Sequence, residues 1–515
     1  MKNLKLLSVL LVSMLLLVAC SNNAANSNTP NNSKQEVTNK PPKWEQNPIE
    51  DFDYEYSEEL QGVIVSYKGE SERVMFPAEI NGDPVKAIGH TGNRQRGNIK
   101  EVYIPDGIQV IDTIAFEDYV SLKSVTLPDS VTAIGLAAFE DCRSLETVNF
   151  SKNLKMIDSD AFNGCISLSK INLPEGLEHI GSEAFENCDA LQTVTIPSTV
   201  KVIEEEAFNA CDKLADIILA DPDSVIDIHR DAFNHTYWYN RHPEGFIQIG
   251  CNLLGYKGDI PSTLTIPDGI KSIGRSAFTE NNIVSVIIPE GVEFIGWGAF
   301  SGIDALKSVS LPKSLRTISG SAFSRCTLLE DITLPEGLKT IGGYAFSDCA
   351  SLKDISLPEG LTTLGDHDLN TGNTGFVFSG CKSLTSIKIP MSLKEIYSWN
   401  FAGCDSLTEV IFHDDLEYIH EGAFVGCISL TNVTLPEKIT IIEDSTFAHC
   451  TSLYNIIIPY GVTEIGYGAF KGCKSLKTVN IPDSVTGIWY NSFEDCPLDY
   501  EIRKLIDERE TLGRG

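Results

Sequence analysis

The chain has 515 residues, 42% of them hydrophobic and 22% charged, and a formal net charge of −31. A surface this acidic repels phosphate backbones and anionic headgroups, and no basic cluster counters it, so nucleic acid is excluded as a partner. Self-repulsion favours a soluble, monomeric chain and leaves room for a cation or a basic partner.

The first elements are processing signals. Lys2 and Lys5 precede an apolar run from Leu6 to Ala19 that is interrupted only by Ser8 and Ser13. The run is shorter than the ~20 apolar residues a membrane span needs. Residues 1–19 therefore read as a signal peptide. Its end, Leu17-Val18-Ala19-Cys20, resembles the lipobox of bacterial lipoprotein precursors. That resemblance implies cleavage before Cys20 and diacylation of that Cys, palmitate being the expected chain type. Residues 20–49 are rich in Asn, Ser, Pro and Gln and bury too little apolar area to order, so they read as a lipidated tether.

From there the chain is dominated by one period. Phe recurs at 116, 139, 162, 185 and 208, each 23 residues after the last, and then at 233. After a longer gap come Phe278, Phe300, Phe323 and Phe346, and after an insertion Phe378, Phe401, Phe424, Phe447, Phe470 and Phe493. The unit around each is L-x-x-[VI]-x-[LI]-P-[DE]-[GS]-[VL]-x-x-I-G-x-x-A-F-x-x-C. In the copy from Leu122 to Cys142, Val125 and Leu127 alternate as a short strand with one inward face. Pro128-Asp129-Ser130 turns the chain, Val131 and Ile134 form a second inward pair, and Ala138, Phe139 and Cys142 point inward from a helical or 3-10 turn. One such unit cannot bury its own apolar face, so neighbours must stack into a solenoid.

The unit closely resembles the BspA-type leucine-rich repeat of bacterial surface proteins, over roughly residues 50 to 496. Copies such as Ile266 to Phe278 carry the likeness. It implies a β-rich solenoid as a single elongated domain, and roles in adhesion or host-protein binding. The expected organisation is degenerate N-terminal cap repeats at 50–114, the solenoid at 115–496 with an atypical repeat at 234–277 and an insertion at 365–377, and a C-terminal capping helix and tail at 497–515. In that last segment Leu498, Ile502, Leu505 and Ile506 share one helical face.

Of the 14 cysteines, Cys20 is the lipidation site and twelve fall three residues after a repeat Phe, with Cys251 apart. Equivalent residues of stacked rungs point the same way, which is unsuited to disulfide geometry. The expectation is a ladder of buried, reduced thiols acting as small hydrophobes.

No catalytic motif is present, and the chain is read as a non-enzyme without a cofactor. His420-Glu421 begins like a metalloprotease H-E-x-x-H, but position 424 is a repeat Phe. His229 and His420 lie in the bend before a repeat Phe, where solvated residues are expected. Asp366, Asp368 and Asn370 alternate in the insertion as oxygen ligands of a calcium site would, yet lack the acidic twelfth position; a polar loop is the plainer expectation, and no metal is assigned.

Binding candidates are aromatic. The bend before Phe carries small or charged residues in the first half, and Trp297, Tyr344, Tyr397, Trp399, Tyr467, Trp489 and Tyr490 in the second. Facing outward in register, they would form an exposed stripe of the kind that marks interaction sites; folding down over their own rungs, they would be packing. Tyr237-Trp238-Tyr239 in the atypical repeat is either a seal or a second platform. The reading is a lipid-anchored protein on the extracytoplasmic side of the envelope, held to the membrane through its acyl chains alone, that binds a protein partner. A glycan-binding or glycan-processing surface lipoprotein is the alternative.

Overall fold

The computed structural model describes residues 42–89, 98–279, 281–368 and 372–511. The signal peptide, Cys20 and most of the tether lie outside the described residues, as does Asn370. The chain divides into two compact units, Met1–Pro243 and Glu244–Gly515.

Each unit opens on a hairpin. In the first, Phe52–Ser57 pairs antiparallel with Gly62–Tyr67, which then pairs parallel with Asp83–Ile88. A parallel ladder follows, one short strand per rung, through Val110–Ile111, Ala133–Ile134, Met156–Ile157, His179–Ile180, Val202–Ile203 and Asp227–Ile228. In the second, Gly245–Ile249 pairs antiparallel with Asn252–Lys257, which leads into Ser272–Ile273, Phe294–Ile295, Thr317–Ile318, Thr340–Ile341 and Thr363–Leu364. The stretch read as an atypical repeat thus contains a second opening hairpin, and the boundary between units falls within it. Both hairpins end alike, in Tyr67-Lys68-Gly69-Glu70 and Tyr256-Lys257-Gly258-Asp259. A second parallel ladder holds the Leu-x-x-Val-x-Leu strands, such as Ser124–Thr126 with Thr147–Asn149.

The third side of each rung is the turn around the repeat Phe. Ala138 N–H donates to Gly135 O at 3.2 Å and Cys142 N–H to Phe139 O at 3.2 Å, single turns that never extend into a helix. The reason is the left-handed residues that most described rungs carry two before and two after the Phe, for example Ala137 (φ 53°) and Asp141 (φ 55°). Each reverses the handedness a helix would need to propagate. The geometry instead aims alternate N–H groups at the next rung: Ala137 to Ser159 O at 2.9 Å, Phe139 to Ala161 O at 2.8 Å, Asp141 to Asn163 O at 2.8 Å. On the strand side the donation runs the other way, with Gly135 N–H bonding Ile111 O of the rung before at 2.7 Å.

The Phe rings stack. In the first unit, Phe116 to Phe233 sit 5.0–5.2 Å apart with interplanar angles of 3–12°. In the second, Phe278 to Phe493 sit 5.0–5.8 Å apart at 4–18°. All thirteen described cysteines are buried, and none is in a disulfide. They are more than small hydrophobes. Each repeat Cys Sγ–H donates to the Phe carbonyl one rung back, as Cys165 does to Phe139 O at 3.2 Å and Cys349 to Phe323 O at 3.2 Å. The carbonyls of Phe139 and Phe323 already accept the N–H of Cys142 and Cys326, so the thiol occupies the second lone pair. Burial pushes the Cys326 thiol up to about 12 and holds Cys165, Cys349 and Cys381 well above the ordinary thiol range.

In the second unit the helix Tyr500–Arg509 closes the stack. Ile502, Leu505 and Ile506 pack on the core, and the Arg509 guanidinium donates to the carbonyls of Pro482 and Val485 at 3.0 Å.

In the first unit, the bend places carboxylates of successive rungs side by side. Asp160, Glu183 and Glu206 all take the left-handed position before Ala-Phe. Asn163 Nδ2 donates to Asp160 at 3.0 Å and to Glu186 at 3.1 Å, and Asn209 Nδ2 to Glu186 at 2.8 Å, which eases the crowding only in part. Desolvation first, then the charges of Asp160 and Glu186, push the Glu183 carboxyl up to about 7.

Two outcomes are expected. The twelve repeat thiols should resist a thiol reagent in the native protein and react without prior reduction once it is denatured; disulfides found between rungs by mass spectrometry would contradict the ladder. A carboxyl raised in the folded state stabilises it below the ordinary carboxylate pKa of ~4.3, and that contribution is lost as pH rises through about 7. Amides of residues 158–211 should therefore exchange more slowly at about pH 5 than at about pH 8 after correction for intrinsic rates, and Glu183→Gln should flatten the difference.

Candidate binding surface

The left-handed position two residues before the Phe is the natural place for display. Its N–H is committed to the next rung, and its side chain is not needed in the core. Most rungs of the second unit put a small residue there, such as Ser276, Ser321 or Ser445, because a bulky side chain at positive φ is sterically disfavoured. Three rungs break that rule: Tyr344 (φ 59°), Phe376 (φ 57°) and Trp399 (φ 61°). Their backbones are held by bonds to Gly375 O at 3.0 Å, Ser398 O at 3.1 Å and Glu421 O at 3.0 Å.

The three side chains stack across the rungs. Tyr344 and Phe376 are 4.7 Å apart at 5°, and Phe376 and Trp399 are 5.9 Å apart at 7°. Tyr344 is 38% exposed, and Phe376 and Trp399 are half-buried. The indole of Trp399 lies over Gly422, where an added Cβ would come within 2.7 Å of the ring, so that glycine seats the end of the stack. The facing sides of the three rings are covered by one another.

The other expected aromatics separate into three groups. Trp297 is exposed beneath the Arg275 guanidinium, 5.7 Å from the ring centroid. Tyr467 and Tyr490 are exposed as a tilted pair 6.4 Å apart, beside the half-buried Trp489. Tyr237 is exposed near Arg241, with Tyr239 half-buried. Two residues do not face out. Tyr397, at 9% exposure, donates from its hydroxyl to Glu395 at 3.1 Å and stacks on His420 at 5.7 Å. Trp238, at 7%, packs edgewise on Phe233 at 5.9 Å and is a seal rather than a platform.

The two histidines differ from expectation as well. His229 is buried, and His420 Nε2 is 2.9 Å from Glu395 Oε2. Glu205, His229 and Asp231 bring their ligand atoms within 4.8 Å of one another, a set compatible with a divalent cation. His229 Nδ1, however, already accepts the Asp231 N–H at 3.2 Å. Glu205 lies one rung before His229 and Asp231, and only rung stacking joins it to them. In the insertion, Asp366–Asp368 and Gly372–Thr374 form an antiparallel hairpin rather than an open polar loop.

Phe376 was not among the sequence candidates. Counted back from Phe378 it holds the same place as Tyr344 and Trp399, but the insertion before it hides the register.

Comparison with known proteins bears on the repeat. The family model for the BspA type leucine rich repeat region matches residues 86–215, 138–241, 247–371 and 374–499. Similar solved structures include a leucine-rich repeat protein from Bacteroides ovatus, 24% identical, covering 87% of this chain and 98% of that one, with a TM-score of 0.37. A leucine rich cell surface protein from Faecalibacterium prausnitzii is 22% identical and covers 93% and 100% of the two chains, with a TM-score of 0.28. A leucine rich repeat protein of T. pallidum is 22% identical over 60% and 92%, with a TM-score of 0.27. No curated protein matches the sequence. With the family model matched across most of both units, and the rung geometry that its repeat demands, this chain belongs to the BspA-type leucine-rich repeat family.

Proposed function

We propose that this chain is a lipid-anchored adhesion or binding protein of the bacterial cell surface, and that it docks a protein partner on the aromatic stack of its second unit. Surface-type leucine-rich repeat proteins are in general protein-interaction scaffolds, which supports the coarser part of this reading. Among the described residues no helix is long and apolar enough to cross a membrane. Anchoring through acylated Cys20 is consistent with that and rests on the lipobox alone.

The observation that carries the docking site is the stack of Tyr344, Phe376 and Trp399. Each ring occupies a backbone conformation that costs about 1 kcal/mol or more for a bulky residue. The core has no use for them, since neighbouring rungs fold with Ser or Gly at the same place. Aromatic side chains exposed in register are the usual anchors of protein interfaces. The geometry favours protein over glycan. A sugar packs its C–H face on an open ring face, and here those faces are turned toward one another. The rings suit apolar and aromatic side chains, which pair edge to face.

Replacing Tyr344, Phe376 and Trp399 together with Ser should leave the melting temperature nearly unchanged, because Ser already fills this position at 276, 321 and 445. The variant should lose the proteins that the wild type retains on a protein array. Phe401→Ala should do the reverse and destabilise by ~3–5 kcal/mol, since its ring is part of the buried file. Retention of glycans rather than proteins, lost with the same three rings, would favour the saccharide alternative. For the anchor, Cys20→Ser should move the chain out of the membrane fraction; a variant that still sediments with membranes after a salt wash would refute lipid attachment.

A further inference from the structure

Strand pairing in the second unit is interrupted at two rung boundaries, after Thr363–Leu364 and after Tyr418–Ile419, and a crevice lies at the second. The strand Glu409–Ile411 pairs with Ser386–Lys388 before it, and Asn432–Thr434 pairs with Asn455–Ile457 after it, but the two are not paired with each other. The companion ladder breaks at the same place, between Tyr418–Ile419 and Ile441–Ile442. The turn side stays closed, with Phe424 N–H on Thr446 O at 2.9 Å and the rings of Phe424 and Phe447 5.5 Å apart at 4°. The stack is thus parted on its strand side and held on its Phe side.

The gap is a crevice of about 540 Å³. Its apolar floor includes Val410 and Phe412, both half-buried, although the register of Val410 points it inward like the buried Val125, Ile387 and Val433. Its rim carries Glu409 and Asp414, both exposed, and among the described residues neither makes an ion pair. His413 stands where most rungs have the turn Pro; its Nδ1 lies 3.2 Å from the Asp415 backbone N and its Nε2 3.0 Å from Leu393 O.

We infer that this crevice receives a lysine or arginine side chain from an extended basic segment of a protein partner. An apolar floor below two unpaired carboxylates matches a side chain with an aliphatic stem and a cationic head. The chain's net charge of −31 draws such a segment in. The site does not involve Tyr344, Phe376 or Trp399, so it stands or falls separately from the aromatic stack.

The test uses the full chain in detergent and two probes: a pentalysine peptide, and the same peptide acetylated on every lysine. Glu409→Gln with Asp414→Asn should weaken pentalysine about tenfold. Asp268→Asn with Glu336→Gln, acidic turn residues of other rungs, should leave it unchanged. Pentalysine should slow hydrogen exchange in residues 408–414 and 431–436. Equal weakening in both double variants would reduce the effect to bulk charge and overturn the site. So would equal binding of the acetylated peptide, protection elsewhere only, or no binding by the wild type.

Discussion

Each rung leaves backbone donors and acceptors unsatisfied on both flanks until another rung lies against it, and this requirement organises everything else in the molecule. The strand side sends N–H groups backward and the turn side sends them forward, as Gly135 and Phe139 do within one repeat. A rung is therefore tied to both neighbours by bonds of opposite sense, and its register is fixed to the residue. Once register is fixed, like stacks on like. The Phe file and the cysteine ladder are consequences of it. A thiol at that place also uses the second lone pair of a buried Phe carbonyl, which a methyl group could not.

The same constraint explains where variation is tolerated. The left-handed position before Ala-Phe commits its backbone and frees its side chain. In the first unit it carries Asp160, Glu183 and Glu206, and stacking brings together carboxylates that no local sequence relation would join. In the second it carries Tyr344, Phe376 and Trp399. One geometric slot thus presents an acidic ridge in one unit and an aromatic stack in the other. Function in such a scaffold lives in sites grafted on the fold rather than in the fold itself. The rung boundary opened at Glu409–Ile411 shows the complementary case, where the Phe turns stay bonded and the strand ladders are released.

The stack also needs ends. A hairpin begins each unit, and in the second a helix seals the last rung with Arg509 on its carbonyls. The closing helix was legible from the spacing of Leu498, Ile502, Leu505 and Ile506. The second hairpin was not, because it interrupts the period and looked like a decayed repeat. Only its pairing reveals that it restarts the ladder as the N-terminal hairpin starts it.

The sequence by itself determined the fold class, the rung length, which residues point inward and that the cysteines form a ladder, because a strict 23-residue period leaves the chain one way to bury Leu, Ile, Val and Phe together. It also located the bend as the variable, displayed part of each rung. Tertiary structure alone decided which bend residues are displayed. Tyr397 and Trp238 turn in, Phe376 joins Tyr344 and Trp399, and Val410 is left half-open. Period fixes a residue's place within its own rung. Whether that place is covered depends on the side chain one rung away and on whether the ladder between them is closed, and neither is a property of the repeat itself.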